Sequence, residues 1–119
     1  RVNAEDPSRS FLPMPGKVVR FRPPLGPGIR VDTHVQDGAA IPPQYDSLLA
    51  KVVAWAPDRD RALARCLRAL NEFEVVGIPT TIAAAAQVIR SEGFARGNYS
   101  TSYLDDVAES LPALAKAQK

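Results

Sequence analysis

One cysteine, Cys66, and one histidine, His34, leave this chain short of several chemistries at once. A single thiol cannot close an internal disulfide, and that composition suits a reducing compartment. One thiol and one imidazole cannot assemble a structural zinc site, and no carboxylate cluster has the spacing of metal ligands. A serine- or cysteine-type triad would need His34 as its base. His34 falls on the polar side of an alternating segment with Asp32 two residues away, the setting of a surface or interface histidine. An excess of one charge is lacking too. Fifteen basic residues stand against 13 acidic ones, so the net of +2 supplies no field to steer a polyanion. No run approaches the ~18 apolar residues of a membrane span, and the N-terminus has no signal-peptide pattern. The expected location is the cytoplasm, or an organellar matrix if a targeting segment has been lost.

Phosphate cradles are missing as well. No Walker A sequence exists, and Gly26-Pro-Gly28 has neither the glycine spacing nor the following helix that such a loop needs. Lys17, Arg20, Arg22 and Arg30 could be read as an anion- or nucleic-acid-binding stripe. The one aromatic among them, Phe21, is expected on the opposite face of the strand from Arg20 and Arg22, so the stacking platform such a surface requires is missing. Nothing here amounts to a self-contained catalytic apparatus.

What is present divides into two halves. Most of the prolines and glycines lie in residues 1–47, and most of the helical periodicity lies in residues 58–119. The first half reads as strands and turns. Lys17 to Arg22 is expected as a strand, with Val19 and Phe21 on one face and Val18, Arg20 and Arg22 on the other. Ile29 to Gln36 alternates strictly, with Ile29, Val31, Thr33 and Val35 on the apolar face. Leu48 to Ala56 is apolar apart from Lys51 and reads as a strand buried on both faces. Asp58 is placed to cap a helix over about 59–73, whose face is Leu63, Cys66, Leu67 and Leu70. Val75 to Ile78 suggests one more short strand. Thr80 or Thr81 caps a second helix with Ile82, Ala85, Ala86 and Ile89 on one face, and Gly93 is its expected stop. Ser102-x-x-Asp105 has the form of a capping box for a third helix. The expected fold class is α+β, an antiparallel sheet flanked by two or three helices.

Several blocks together carry a resemblance. Arg1-Val-Asn-Ala-Glu-Asp-Pro7, Phe11-Leu-Pro-Met-Pro-Gly-Lys17, Gly26-Pro-Gly-Ile-Arg-Val-Asp32, Ile41-Pro-Pro-Gln-Tyr-Asp-Ser47, Gly77-Ile-Pro-Thr80 and the final Phe94…Thr101-Ser-Tyr-Leu104 follow one another in order and at matching spacing. They resemble the C-terminal domain of biotin carboxylases over residues 1–106, which leaves 107–119 as a C-terminal tail. The resemblance implies the last part of an ATP-grasp enzyme, of the kind found in acetyl- and propionyl-CoA carboxylases. Such an enzyme activates bicarbonate with ATP and carboxylates the ureido nitrogen of biotin held on a carrier domain. A first residue of Arg rather than Met, with no leader before a formed turn, agrees with a fragment. Biotin would arrive on another domain, since methionine occurs only at Met14 and no Met-Lys-Met carrier motif is present.

The resemblance also implies roles. Arg1 matches an arginine at the biotin site, and Asp46 a carboxylate that pairs with it. Each has a plainer alternative: Arg1 as a frayed end, and Asp46 as the acceptor of a turn at Tyr45-Asp46-Ser47. Thr101 and Ser102 match a segment bordering the adenine pocket. Arg30, Arg65 and Glu72 match the dimer surface of bacterial members, against the alternative of solvated charges. Most ATP and Mg ligands would lie in a central part outside this chain. The implied partners are the N-terminal and central parts of the same enzyme, a biotin carrier domain and a carboxyltransferase. Gln44, where an aromatic residue is common, and Ala50, where glycine is, depart from the pattern. The competing function is a non-catalytic dimerisation or carrier-docking module.

Overall fold

In the computed structural model, which describes residues 1–108 and 110, short antiparallel strand pairs surround one long central strand. The elements run β1 (Val2–Asn3), β2 (Glu5–Asp6), a 3-10 turn (Pro7–Arg9), β3 (Leu12–Pro13), β4 (Gly16–Lys17), β5 (Arg20–Arg22), β6 (Ile29–Thr33), β7 (Ala40–Ile41) and β8 (Leu48–Ala54). Then come α1 (Arg59–Glu72), β9 (Glu74–Val76), α2 (Ile82–Arg90), α3 (Glu92–Ala95) and α4 (Tyr103–Val107). Apart from residues 107, 108 and 110, the expected tail lies outside the described residues.

The main sheet has the order β1-β8-β6, and the pairs β2–β3, β4–β7 and β5–β9 flank it, all antiparallel. The fold is α+β, as the composition of the two halves implied. The core gathers Val2, Ala4, Val18, Phe21, Val35, Ile41, Leu49, Ala50 and Phe73. Phe21 and Phe73 meet edge to face with ring centroids 5.3 Å apart, the arrangement that the ring quadrupole favours. Asp58 caps α1 as expected, its carboxylate accepting the Arg61 N–H at 2.9 Å.

The structure corrects several sequence-based expectations. The strand expected over Lys17–Arg22 breaks at Val18-Val19, because the chain changes partner there. Val18 N–H donates to Ala39 and Val19 N–H to Val76, so Val18 is buried and Val19 is 62% exposed. The exchange depends on Gly77, whose φ of +112° avoids the Lys17 carbonyl that a Cβ would strike. β6 ends at Thr33, whose hydroxyl donates to the Leu49 carbonyl and accepts the Val35 N–H, bending the chain out of the ladder. β8 is covered on both faces only at Leu49 and Ala50. Beyond them Lys51, Val53 and Trp55 are exposed. α2 stops at Ser91, and Gly93 sits inside α3. The Ser102 side chain makes no capping bond, because its hydroxyl donates to Asp106 instead.

Candidate functional site

The first strand places the site. Along residues 1–5 the extended backbone alternates, so Val2 and Ala4 enter the core while Arg1, Asn3 and Glu5 line one groove. Thr81, at the N-terminus of α2, and Leu104 of α4 line it as well, around a volume of about 460 Å³. Thr81 ties α2 to β1 in both directions. Its N–H donates to the Asn3 carbonyl and its hydroxyl accepts the Asn3 N–H, each at 3.1 Å. This bond takes the hydroxyl away from the helix cap expected of it.

Arg1 and Asp46, forty-five residues apart, are in contact. Nη2 of Arg1 donates to Oδ1 of Asp46 at 3.3 Å. The same oxygen accepts the Leu48 N–H at 2.8 Å, so the turn and the ion pair exist together. Both side chains are more than half exposed, and an exposed pair contributes only ~0–1 kcal/mol. Its effect is to orient. One contact occupies part of a guanidinium that carries five donors, on a side chain that is 58% exposed and lines the groove.

Glu5 and Asn3 were not singled out from the sequence. Oε1 of Glu5 accepts from Asn3 Nδ2 at 2.9 Å and from Ser47 Oγ at 2.5 Å. Oδ1 of Asn3 is buried without a hydrogen-bond partner among the described residues. The two-residue spacing of Arg1, Asn3 and Glu5 was the available signal. Thr101 and Ser102 sit exposed in the turn that leads into α4, and α4 brings Leu104 to the Arg1 groove. Arg59 anchors the chain just before that turn. Its guanidinium donates to the carbonyls of Phe94 and Ala95 and lies 5.3 Å from the Phe94 ring centroid.

Arg30, Arg65 and Glu72 stand away from the groove, around the 25–28 loop. Arg30 pairs with Asp32 at 3.2 Å, Arg65 donates to the Trp55 carbonyl, and Glu72 holds Arg68 at 2.8 Å. Arg68 in turn reaches the Leu25 carbonyl. In the proposed basic stripe, Arg20 and Arg22 are also paired, with Glu74 and Asp37. Cys66 is half-buried beside α2, and burial pushes its thiol up from the ordinary 9.0. It therefore stays protonated at neutral pH, without thiolate reactivity. Among the described residues no group of three His, Cys, Asp or Glu could hold a metal ion.

An α+β domain that presents one guanidinium, held by a carboxylate, beside a groove is the class of protein defined here. The chain matches the biotin carboxylase C-terminal domain family over residues 1–106 and belongs to it. It is 45% identical over 107 residues to a biotin carboxylase of Nostoc sp., covering 90% of this chain and 24% of that protein. With the chloroplastic biotin carboxylase of Arabidopsis thaliana the identity is 41% over 111 residues, or 93% of this chain and 21% of that one. The biotin carboxylase domain dimer of Hydrogenobacter thermophilus 2-oxoglutarate carboxylase, solved with MgADP, ADP and bicarbonate, superposes with a TM-score of 0.89 at 38% identity. That match covers 92% of this chain and 24% of the other. The chain thus spans about a quarter of the length of the curated relatives it matches.

Proposed function

We propose that this chain is the closing part of an ATP-dependent biotin carboxylase, and that Arg1, oriented by Asp46, binds the ureido group of carrier-held biotin. The observation that carries the proposal is the contact of Asp46 with Arg1, which lines the groove. When a ureido nitrogen gives up its proton, negative charge develops on the ureido oxygen. A guanidinium already fixed in place stabilises that charge without reorganising. ATP, Mg and bicarbonate are assigned mainly to the central part of the enzyme, with the turn at Thr101-Ser102 giving contact surface beside the adenine. The carrier domain and a carboxyltransferase are the partners, and the cytoplasm is the location.

The test is Arg1→Gln in the full-length enzyme that contains this chain. Losing one such donor lowers turnover by about 10²–10³-fold. Carboxylation of free biotin should fall by that order while the protein still melts normally. Undiminished carboxylation would end the assignment. A non-catalytic docking module, the competing function, predicts that undiminished result.

A further inference from the structure

We propose that Glu5 is a positioning residue of the biotin step, fixing the Arg1–Asp46 pair through a single carboxylate oxygen. The proposal rests on the reading of Arg1 above and extends it to a residue whose carboxylate bonds Asn3 and Ser47, near neighbours of the pair in the chain.

Arg1 and Asp46 belong to stretches that the sheet ladder scarcely joins. β1 pairs with β8 only at Val2–Ala50 and Asn3–Leu48, and one further backbone bond runs from the Ala4 N–H to the Ser47 carbonyl. From Glu5 onward the chain pairs with β3 instead. The loop carrying Asp46 therefore leaves the sheet where the backbone stops holding it. Oε1 of Glu5 occupies that place. It accepts Nδ2 of Asn3, two residues after Arg1, and Oγ of Ser47, the residue after Asp46. One oxygen thus stitches both sides of the ion pair together. The pair cannot do this for itself, since its single 3.3 Å contact is exposed and such contacts are weakly held. Small displacements of a charge-stabilising group lower turnover by up to about 10²-fold.

Because both bonds end on one oxygen as acceptor, the carbonyl of a glutamine can replace them, whereas alanine loses both. In the full-length enzyme, Glu5→Ala should lower kcat/KM for free biotin by about tenfold or more. Glu5→Gln should stay within about twofold of wild type. Ser47→Ala removes one of the two bonds and should move kcat/KM in the same direction, which provides a second route if Glu5→Ala fails to fold. In an Arg1→Gln background, Glu5→Ala should cause no further loss, because the group it positions is gone. An unchanged kcat/KM in both Glu5→Ala and Ser47→Ala overturns the proposal. So does a glutamine variant as impaired as alanine, or a full additional loss in the Arg1→Gln background. If Arg1→Gln alone leaves carboxylation intact, the failure lies in the assignment of Arg1 itself.

Discussion

Two aspartates show how far one side chain's environment sets its contribution. Oδ1 of Asp46 serves the Leu48 N–H and the Arg1 guanidinium together. Asparagine keeps an acceptor for the turn and loses the charge that holds arginine; alanine loses both. Urea titration should therefore show Asp46→Asn close to wild type and Asp46→Ala lower by about 1–2 kcal/mol. Carboxylation of biotin by the full-length enzyme should fall in both. Equal destabilisation by the two variants would mean that the turn does not depend on Oδ1. Asp37 differs, since its carboxylate accepts the Phe21 N–H at 2.7 Å and Nη1 of Arg22 at 2.9 and 3.0 Å. The Phe21 backbone bond, then Arg22, holds its pKa below the usual 3.8. Near and below 3.8 the unfolded chain binds the proton first, so stability rises with pH through that window. Asp37 contributes above 3.8, and its contribution disappears as pH falls through the lowered value. The stability gap between wild type and Asp37→Asn, measured by denaturant titration, should be present at pH 7 and close on acidification. A gap independent of pH would show that the charge is not what Asp37 contributes.

β8 is two strands in one. At Leu49 the side chain is fully buried, and four residues on Val53 is 40% exposed. Leu49→Ala should cost about 2–5 kcal/mol, from lost transfer energy and the cavity left behind. Val53→Ala should cost under about 0.5 kcal/mol. Matching urea midpoints for the two would refute the description of a half-open strand. The sequence showed β8, α1, α2 and the α+β class because their signals are local: an apolar run, a capping aspartate at Asp58, 3.6-residue spacing. It misled wherever a competing hydrogen-bond partner decided the outcome. Val18 and Val19 exchange faces because Ala39, just before β7, takes one and Val76 of β9 the other. Thr81 and Ser102 carry capping side chains that their neighbours Asn3 and Asp106 claim first. In the site, Arg1 and Asp46 were legible through family resemblance. The Glu5 junction was not, because its meaning depends on Ser47, forty-two residues away.

At the scale of the molecule, a slab of 39 × 38 × 19 Å cannot cover both faces of its main sheet. In the β6–β8 register Arg30 lies opposite Val53 and Asp32 opposite Lys51. Residues directly opposite share a face, so these four and Trp55 form one outer surface. Trp55 is 67% exposed, and Leu25 on the neighbouring loop 78%. Aromatic and arginine side chains grouped like this are the usual anchors of a protein interface. Arg65 and Glu72, the other dimer candidates, already hold the Trp55 carbonyl and Arg68 within the chain. Arg30 and Trp55 are exposed on this surface. A self-complementary contact between two copies here needs ~800 Å² from each to be stable. If this face makes such a contact, the full-length protein sediments as a dimer and the Arg30→Ala/Trp55→Ala double variant as a monomer. Thermal stability of each protomer should barely change, because neither side chain belongs to the core. A double variant that stays dimeric at micromolar concentration would place the contact elsewhere. A loss of folding instead of association would mean that this face supports the domain from within, against the exposure of both side chains.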